Sequence, residues 1–174
     1  MGKTPLDQVA KDYNVDVEWK AFELKPEGVE TPPKSPEYME QAKANVERMS
    51  QQYGIEMKWN DKSEHSRHAL EGAKFAEEHG LGNEYNDAVF KAHFQQDRTI
   101  NDIDTLVDIA GGLGLDSKAF REALESRRYE QNVLDDVEEA HRLGITGIPC
   151  FVSGSQGVMG AQTYETLLKL VNEE

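Results

Sequence analysis

Apolar positions recur along this chain with two different periods. Leu6, Val9, Ala10 and Tyr13 fall three and four residues apart, which puts them on one face of a helix that begins almost at residue 1. Thr4-Pro5 ahead of them reads as an N-cap followed by a proline in the first turn, where its missing N–H costs nothing. The period then drops to two. Val15, Val17, Trp19 and Ala21 alternate with Asp16, Glu18 and Lys20, which predicts a half-buried strand over 15–24. Pro26, Gly28, Pro32, Pro33 and Pro36 dictate a loop after it.

From Ser35 to Gly144 the spacing is helical again. Ser35-Pro36 caps a helix carrying Met39, Ala42, Val46, Met49 and Tyr53, closed by Gly54. Asp61 and Glu64 have capping-box spacing before Ala69, Leu70, Ala73 and Ala76, with Gly80 as the stop. A third helix over 83–97 carries Tyr85, Ala88, Val89 and Ala92. Asp102 starts a fourth, with Ile103, Leu106, Val107 and Ala110, and Asp116 a fifth, with Phe120, Ala123 and Leu124. The last of the series holds Val133, Val137 and Ala140. Cys150-Phe151-Val152 then reads as a strand, Gly154-Ser155-Gln156-Gly157 as a turn and Val158-Met159 as the returning strand. Tyr164, Leu167, Leu168 and Val171 close the chain with an amphipathic helix. Three short strands are expected to share one small sheet, although the first lies far from the hairpin in sequence. The helix near residue 1 also lacks the preceding strand that feeds a βαβ unit.

Composition narrows the function classes. With 19 Lys and Arg against 33 Asp and Glu the formal charge is −14, which would repel phosphate and argues against a nucleic-acid partner. No run of about 18 apolar residues is present to span a membrane, and the N-terminus lacks a signal pattern. A soluble, cytoplasmic protein is the expectation. The single cysteine, Cys150, excludes an internal disulfide or a two-cysteine redox centre within these residues and agrees with a reducing compartment.

Candidate chemistry concentrates in Gly144-Ile145-Thr146-Gly147-Ile148-Pro149-Cys150-Phe151-Val152. A proline at the head of an apolar strand has no N–H for the sheet and belongs at a strand's first residue or on an edge. Its peptide bond with Ile148 is also a candidate for the cis form. Cys150 is either a small core hydrophobe, the preferred reading, or a reactive thiol that needs a partner thiol from elsewhere. His65 and His68 stand three apart beside Glu64 and Glu71. Without further ligands they read as a solvated polar helix face and not as a metal site. His93 is expected to be a satisfied histidine on the apolar side of its helix. Gly111-Gly112-Leu113-Gly114 follows a helix, not a strand, so it marks a helix C-terminus and not a dinucleotide loop.

In order and spacing, several segments resemble the DsbA-like branch of the thioredoxin fold, most closely the FrnE-like predicted dithiol-disulfide isomerases. Val17-Glu18-Trp19-Lys20-Ala21-Phe22-Glu23-Leu24-Lys25-Pro26 is similar to that family's second strand and its exit. Ala92-His93-Phe94 and Asn101-Asp102-Ile103-Asp104-Thr105-Leu106 resemble the middle of its helical insertion. Gly144 to Pro149, with Phe151-Val152 and Gly160-Ala161-Gln162, resembles its cis-proline loop and closing hairpin. The resemblance implies an α/β, thioredoxin-like fold of DsbA type with a large helical insertion and an N-terminally truncated sheet. The expected organisation is a thioredoxin-like subdomain of 1–35 and 144–174 interrupted by an all-helical subdomain of 36–143.

In that family a first strand leads to Cys-x-x-Cys at a helix N-terminus, where backbone N–H groups and the helix dipole stabilise the attacking thiolate. The residues from Met1 to Leu6 resemble the part just after that motif. The resemblance therefore implies a thiol-disulfide oxidoreductase or isomerase scaffold, redox-inactive as it stands. Either an upstream segment is missing, or this is a natural variant without thiol chemistry. It assigns Gly147, Ile148 and Pro149 to substrate binding, with an extended peptide or glutathione as ligand and no cofactor or metal. A kappa-class glutathione transferase or 2-hydroxychromene-2-carboxylate isomerase relative, and a non-catalytic peptide-binding module, are the alternatives. Unpaired strand edges make a homodimer the expected assembly.

Overall fold

The computed structural model describes residues 2–30, 32–60, 62 and 65–172. Eight helices and one hairpin follow in the order α1 (Lys3–Tyr13), α2 (Pro36–Tyr53), α3 (Arg67–Glu78), α4 (Gly82–Phe94), α5 (Ile103–Gly112), α6 (Ser117–Glu125), α7 (Glu130–Arg142), β1 (Cys150–Ser153), β2 (Gln156–Met159) and α8 (Tyr164–Asn172) among the described residues. The chain divides into two compact units, one of Met1–Lys20 with Glu138–Glu174, the other Ala21–Val137.

Unit 21–137 is built around α3 to α6. Phe75, Tyr85, Leu106, Phe120 and Leu124 are buried there together with the alanines of the α3 stripe, Ala69, Ala73 and Ala76. Phe75 meets Phe120 edge to face with ring centres 5.2 Å apart, a preferred aromatic geometry. Gly72 leaves the room that Tyr85 and Phe120 occupy against α3. A Cβ at that position would lie 2.2 Å from the Tyr85 hydroxyl and 2.7 Å from Phe120 Cζ. Carboxylate caps start the helices as their sequence dictates, Asp102 accepting from Thr105 N at 2.9 Å and Asp116 from Lys118 N and Ala119 N. Ser35 caps α2 in the same way, accepting from Tyr38 N at 3.2 Å. The apolar stripe of α2, however, is only half-buried, and no residue of that helix is fully enclosed. The expected capping box of Asp61 and Glu64 lies outside the described residues.

In the other unit α1 and α8 pack together, and α8 also lies against both strands. Val9, Leu167 and Leu170 are buried there. Tyr164 donates to Asp12 at 3.0 Å, tying the two helices at their surface. The strands are antiparallel, with Cys150 opposite Met159 and Ser153 opposite Gln156. That register shortens the expected four-residue turn to Gly154-Ser155. Gly154 has φ +55°, the left-handed conformation a two-residue hairpin loop requires at its first position.

Two expectations need correction. Residues 15–24 form no strand ladder, so the sheet has two strands and not three among the described residues. The segment is extended, and its alternation is real: Val15, Val17 and Trp19 are half-buried and Ala21 and Glu23 buried, while Asp16, Glu18 and Lys20 are exposed. Alternation records which side faces a surface, whereas a strand also needs a hydrogen-bonding neighbour. Thr4 is not the cap of α1. Gly2 occupies that position without a side-chain hydrogen bond, so Thr4 and Pro5 lie inside the first turn.

Candidate functional site

The loop ahead of β1 is set by two neighbours. Gly144, at φ +73°, ends the helical backbone after α7 in the left-handed conformation typical of a helix C-terminus. Ile145 N donates back to Ala140 O at 2.9 Å. On the other side the carbonyl of Pro149 accepts from Gly160 N at 2.7 Å, which anchors the loop to the far end of the hairpin. Gly2 sits against this point; a Cβ on it would lie 3.0 Å from Pro149 Cγ and 3.2 Å from the Phe151 ring. The Ile148–Pro149 peptide bond is cis.

Between these anchors Ile148 projects outward at 50 % exposure. Pleating of the hairpin turns Phe151 and Val158 inward, and leaves Cys150, Val152 and Met159 on the opposite face. Val152 and Met159 are each 53 % exposed, and Leu143 is 62 % exposed. These residues, with Ile145 and Cys150, line a shallow cleft of about 320 Å³. Cys150 is half-buried at the cleft wall and does not enter the buried core. The preferred reading of it as a core residue is thereby corrected: Phe151, one position on, takes the inward direction. Of the loop, Ile145 and Cys150 line this cleft, whereas Gly147, Ile148 and Pro149 between them are not among its lining residues.

The histidines assigned to a solvated face lie elsewhere. His65 precedes α3, and its Nε2 stands 3.6 Å from Glu27 with the side chain only 14 % exposed. His68 Nδ1 lies 3.1 Å from the carbonyl of Asn101, while its Nε2 is 2.8 Å from Arg127 Nη1. A guanidinium only donates, so Nε2 accepts and Nδ1 carries the proton. The solvated reading fails because the segment holding Glu27 and the turn holding Arg127 cover this face. His93 is half-buried. Burial lowers its pKa, against the opposing pull of a backbone contact at Arg98 and of Asp97.

Around His65 and His68 lies a charge cluster that the spacing of residues did not reveal. Arg67 is paired with Glu23 through two bonds, Nε to Oε1 at 2.8 Å and Nη2 to Oε2 at 2.5 Å, with 7 % and 1 % side-chain exposure. Its Nη1 reaches Glu130 at 3.2 Å. Arg127 forks onto Glu27 end-on, Nη1 to Oε1 at 3.2 Å and Nη2 to Oε2 at 2.5 Å. It also contacts Glu130 at 2.9 Å and Glu71 at 3.1 Å. One signal was present in the sequence: Glu23 continues the odd-numbered, inward parity of Val15 to Ala21.

A family model for the DSBA-like thioredoxin domain matches residues 1–172. The chain belongs to the DsbA-like thioredoxin family. It is 34 % identical over 183 residues to YwbO of Bacillus subtilis (strain 168), an uncharacterized protein, covering all of this chain and 90 % of that one. Its fold matches a probable DsbA oxidoreductase from Streptomyces coelicolor with TM-score 0.85 and 26 % identity, over 99 % of this chain and 82 % of the other. A 2-hydroxychromene-2-carboxylate isomerase is similar in fold alone, with TM-score 0.77 and 20 % identity over 97 % and 84 % of the two chains. The thioredoxin-like fold with helices inserted between its parts is therefore established, carried by a two-stranded sheet among the described residues.

Proposed function

We propose that Gly147, Ile148 and Pro149 form the substrate-side loop of a thiol-disulfide oxidoreductase scaffold of the FrnE-like kind, and that it holds an extended peptide or glutathione. The observation that carries this reading is Ile148: a large apolar side chain left half in solvent, on a loop anchored at both ends, whose flanking residues Ile145 and Cys150 line an apolar cleft. A peptide laid along the loop would cover that side chain and the exposed faces of Val152 and Met159. Residues 1–174 contain one thiol, so they form a mixed disulfide at most and have no second cysteine to resolve it. As a chain of these residues the protein binds but does not turn over disulfides.

Amide NMR titration of the 174-residue chain with a disulfide-containing peptide, and separately with reduced and oxidised glutathione, tests the reading. Shifts centred on 144–160 are expected, together with no turnover in an insulin-reduction assay. Binding mapped elsewhere, or sustained reduction of insulin, overturns it. Conjugation of glutathione to a model electrophile would instead favour the transferase and isomerase relatives.

A further inference from the structure

The cluster between α3, the 23–27 segment and the turn joining α6 to α7 sets four carboxylates, Glu23, Glu27, Glu71 and Glu130, against two guanidiniums, Arg67 and Arg127. Arg127 Nη2 has two hydrogens, and three carboxylates stand around it. Glu27 takes one at 2.5 Å and Glu130 the other at 2.9 Å. Glu71 Oε1 lies 3.1 Å from the same nitrogen yet receives no hydrogen bond from the described residues, nor does its Oε2, although the side chain is wholly buried. Arg127 Nε is a buried donor that has no hydrogen-bond partner among the described residues. Arg127 itself sits at φ +57°, a conformation rare for a residue with a Cβ and found where surrounding contacts enforce it.

We infer that Glu71 is the proton-binding element of a charge clamp: neutral, it leaves Arg127 to hold Glu27 and the loop that carries it; ionised, it draws Arg127 away and releases that loop. The step is a simple ionisation, with the carboxyl proton passing to solvent and the guanidinium keeping its charge. An ionised, buried carboxylate without donors is costly. Rotating the guanidinium to offer Nε–H and Nη2–H to Glu71 satisfies it, at the expense of the fork to Glu27.

The groups facing Glu71 pull in both directions. Arg67, one turn back on α3, and Arg127 favour the ionised form, while Glu130 at the start of α7 and Glu27 oppose it. Glu23 is held by Arg67. His68 and His65 border the cluster through Arg127 and Glu27. The Tyr85 hydroxyl of α4 stands beside Gly72. Burial is the largest influence and pushes Glu71 up to about 7, whereas the hydrogen bond from Arg127 holds Glu27 below its usual range.

Two measurements on the full chain test the clamp. Carboxyl ¹³C NMR is expected to show Glu71 titrating near 7; titration in the ordinary carboxylate range overturns the inference. Hydrogen exchange of amides 22–30, corrected for intrinsic rates, is expected to quicken about tenfold from pH 6 to pH 8, following the ionised fraction of a group titrating near 7. Glu71→Gln should hold the slow pH 6 behaviour at both pH values, and Glu27→Gln should exchange fast at both. A Glu71→Gln chain that keeps the wild-type pH dependence, or a Glu27→Gln chain as protected as wild type, overturns the clamp.

Discussion

Glu71 and Ile148 occupy opposite anomalies. The first is a carboxyl group with no exposure inside the helical unit, and the second an aliphatic side chain half exposed on the loop before the hairpin. The helical unit tolerates its charge by surrounding it: two arginines are shared among four glutamates, and the aromatic core around Phe75 and Phe120 closes over the neighbouring helix face. The loop region does the reverse. It anchors its backbone firmly at Pro149 and Gly160 and leaves apolar side chains uncovered. Buried charge needs near-complete partnering and so makes a region intolerant of change. Exposed apolar surface costs the fold little and is available to a ligand.

Substitutions break this contrast in graded fashion. Phe120→Ala, which empties the centre of the helical unit, should cost about 4 kcal/mol by chemical denaturation; a loss below about 1 kcal/mol would mean that the core is not shared as described. Arg67→Met leaves Glu23 buried without its partner and should cost about 3 kcal/mol, most of it recovered in the Arg67→Met/Glu23→Leu pair. Were the double variant as unstable as the single, the pair would be doing something other than neutralising charge.

The pH dependence of Glu71→Gln comes next. Because the folded-state pKa of Glu71 is raised from 4.5 to about 7, its contribution to stability is fully present below 4.5 and is lost as pH rises to 7. The variant should therefore match wild type near pH 4 and exceed it by on the order of 3 kcal/mol above pH 8. A gap that stays constant with pH would show that Glu71 keeps its ordinary pKa. Asp116→Ala removes the cap of α6 and should cost about 1 kcal/mol. Ile148→Ser should shift stability by less than about 0.5 kcal/mol and yet weaken peptide binding several-fold. Equal binding by the variant would remove Ile148 from the ligand surface.

Much of the helical unit was legible because its signals are local. Ser35, Asp102 and Asp116 cap the helices they precede, and Phe120, Ala123 and Leu124 face inward as their spacing requires. The hairpin was legible for the same reason, since apolar strands flank a glycine able to take positive φ. What failed was everything that depended on a distant neighbour. The alternation at 15–24 predicts a strand, but no ladder partner lies beside it among the described residues. His65 and His68 looked solvated on their own segment, yet Glu27, Asn101 and Arg127 close over them.

By itself, then, the amino-acid order determined the helices, the caps at Ser35, Asp102 and Asp116, the hairpin, the proline that heads it and the resemblance of the whole to a DsbA-like thioredoxin domain. These follow from periodicity, φ preference and local hydrogen bonding, each settled within a few residues. Only the tertiary structure decided that Cys150 lines a cleft, that Ile148 stands uncovered, and that Glu71 lies buried among arginines already committed to other carboxylates. Burial and partnering are properties of what the rest of the chain brings to a residue, and no local pattern contains them.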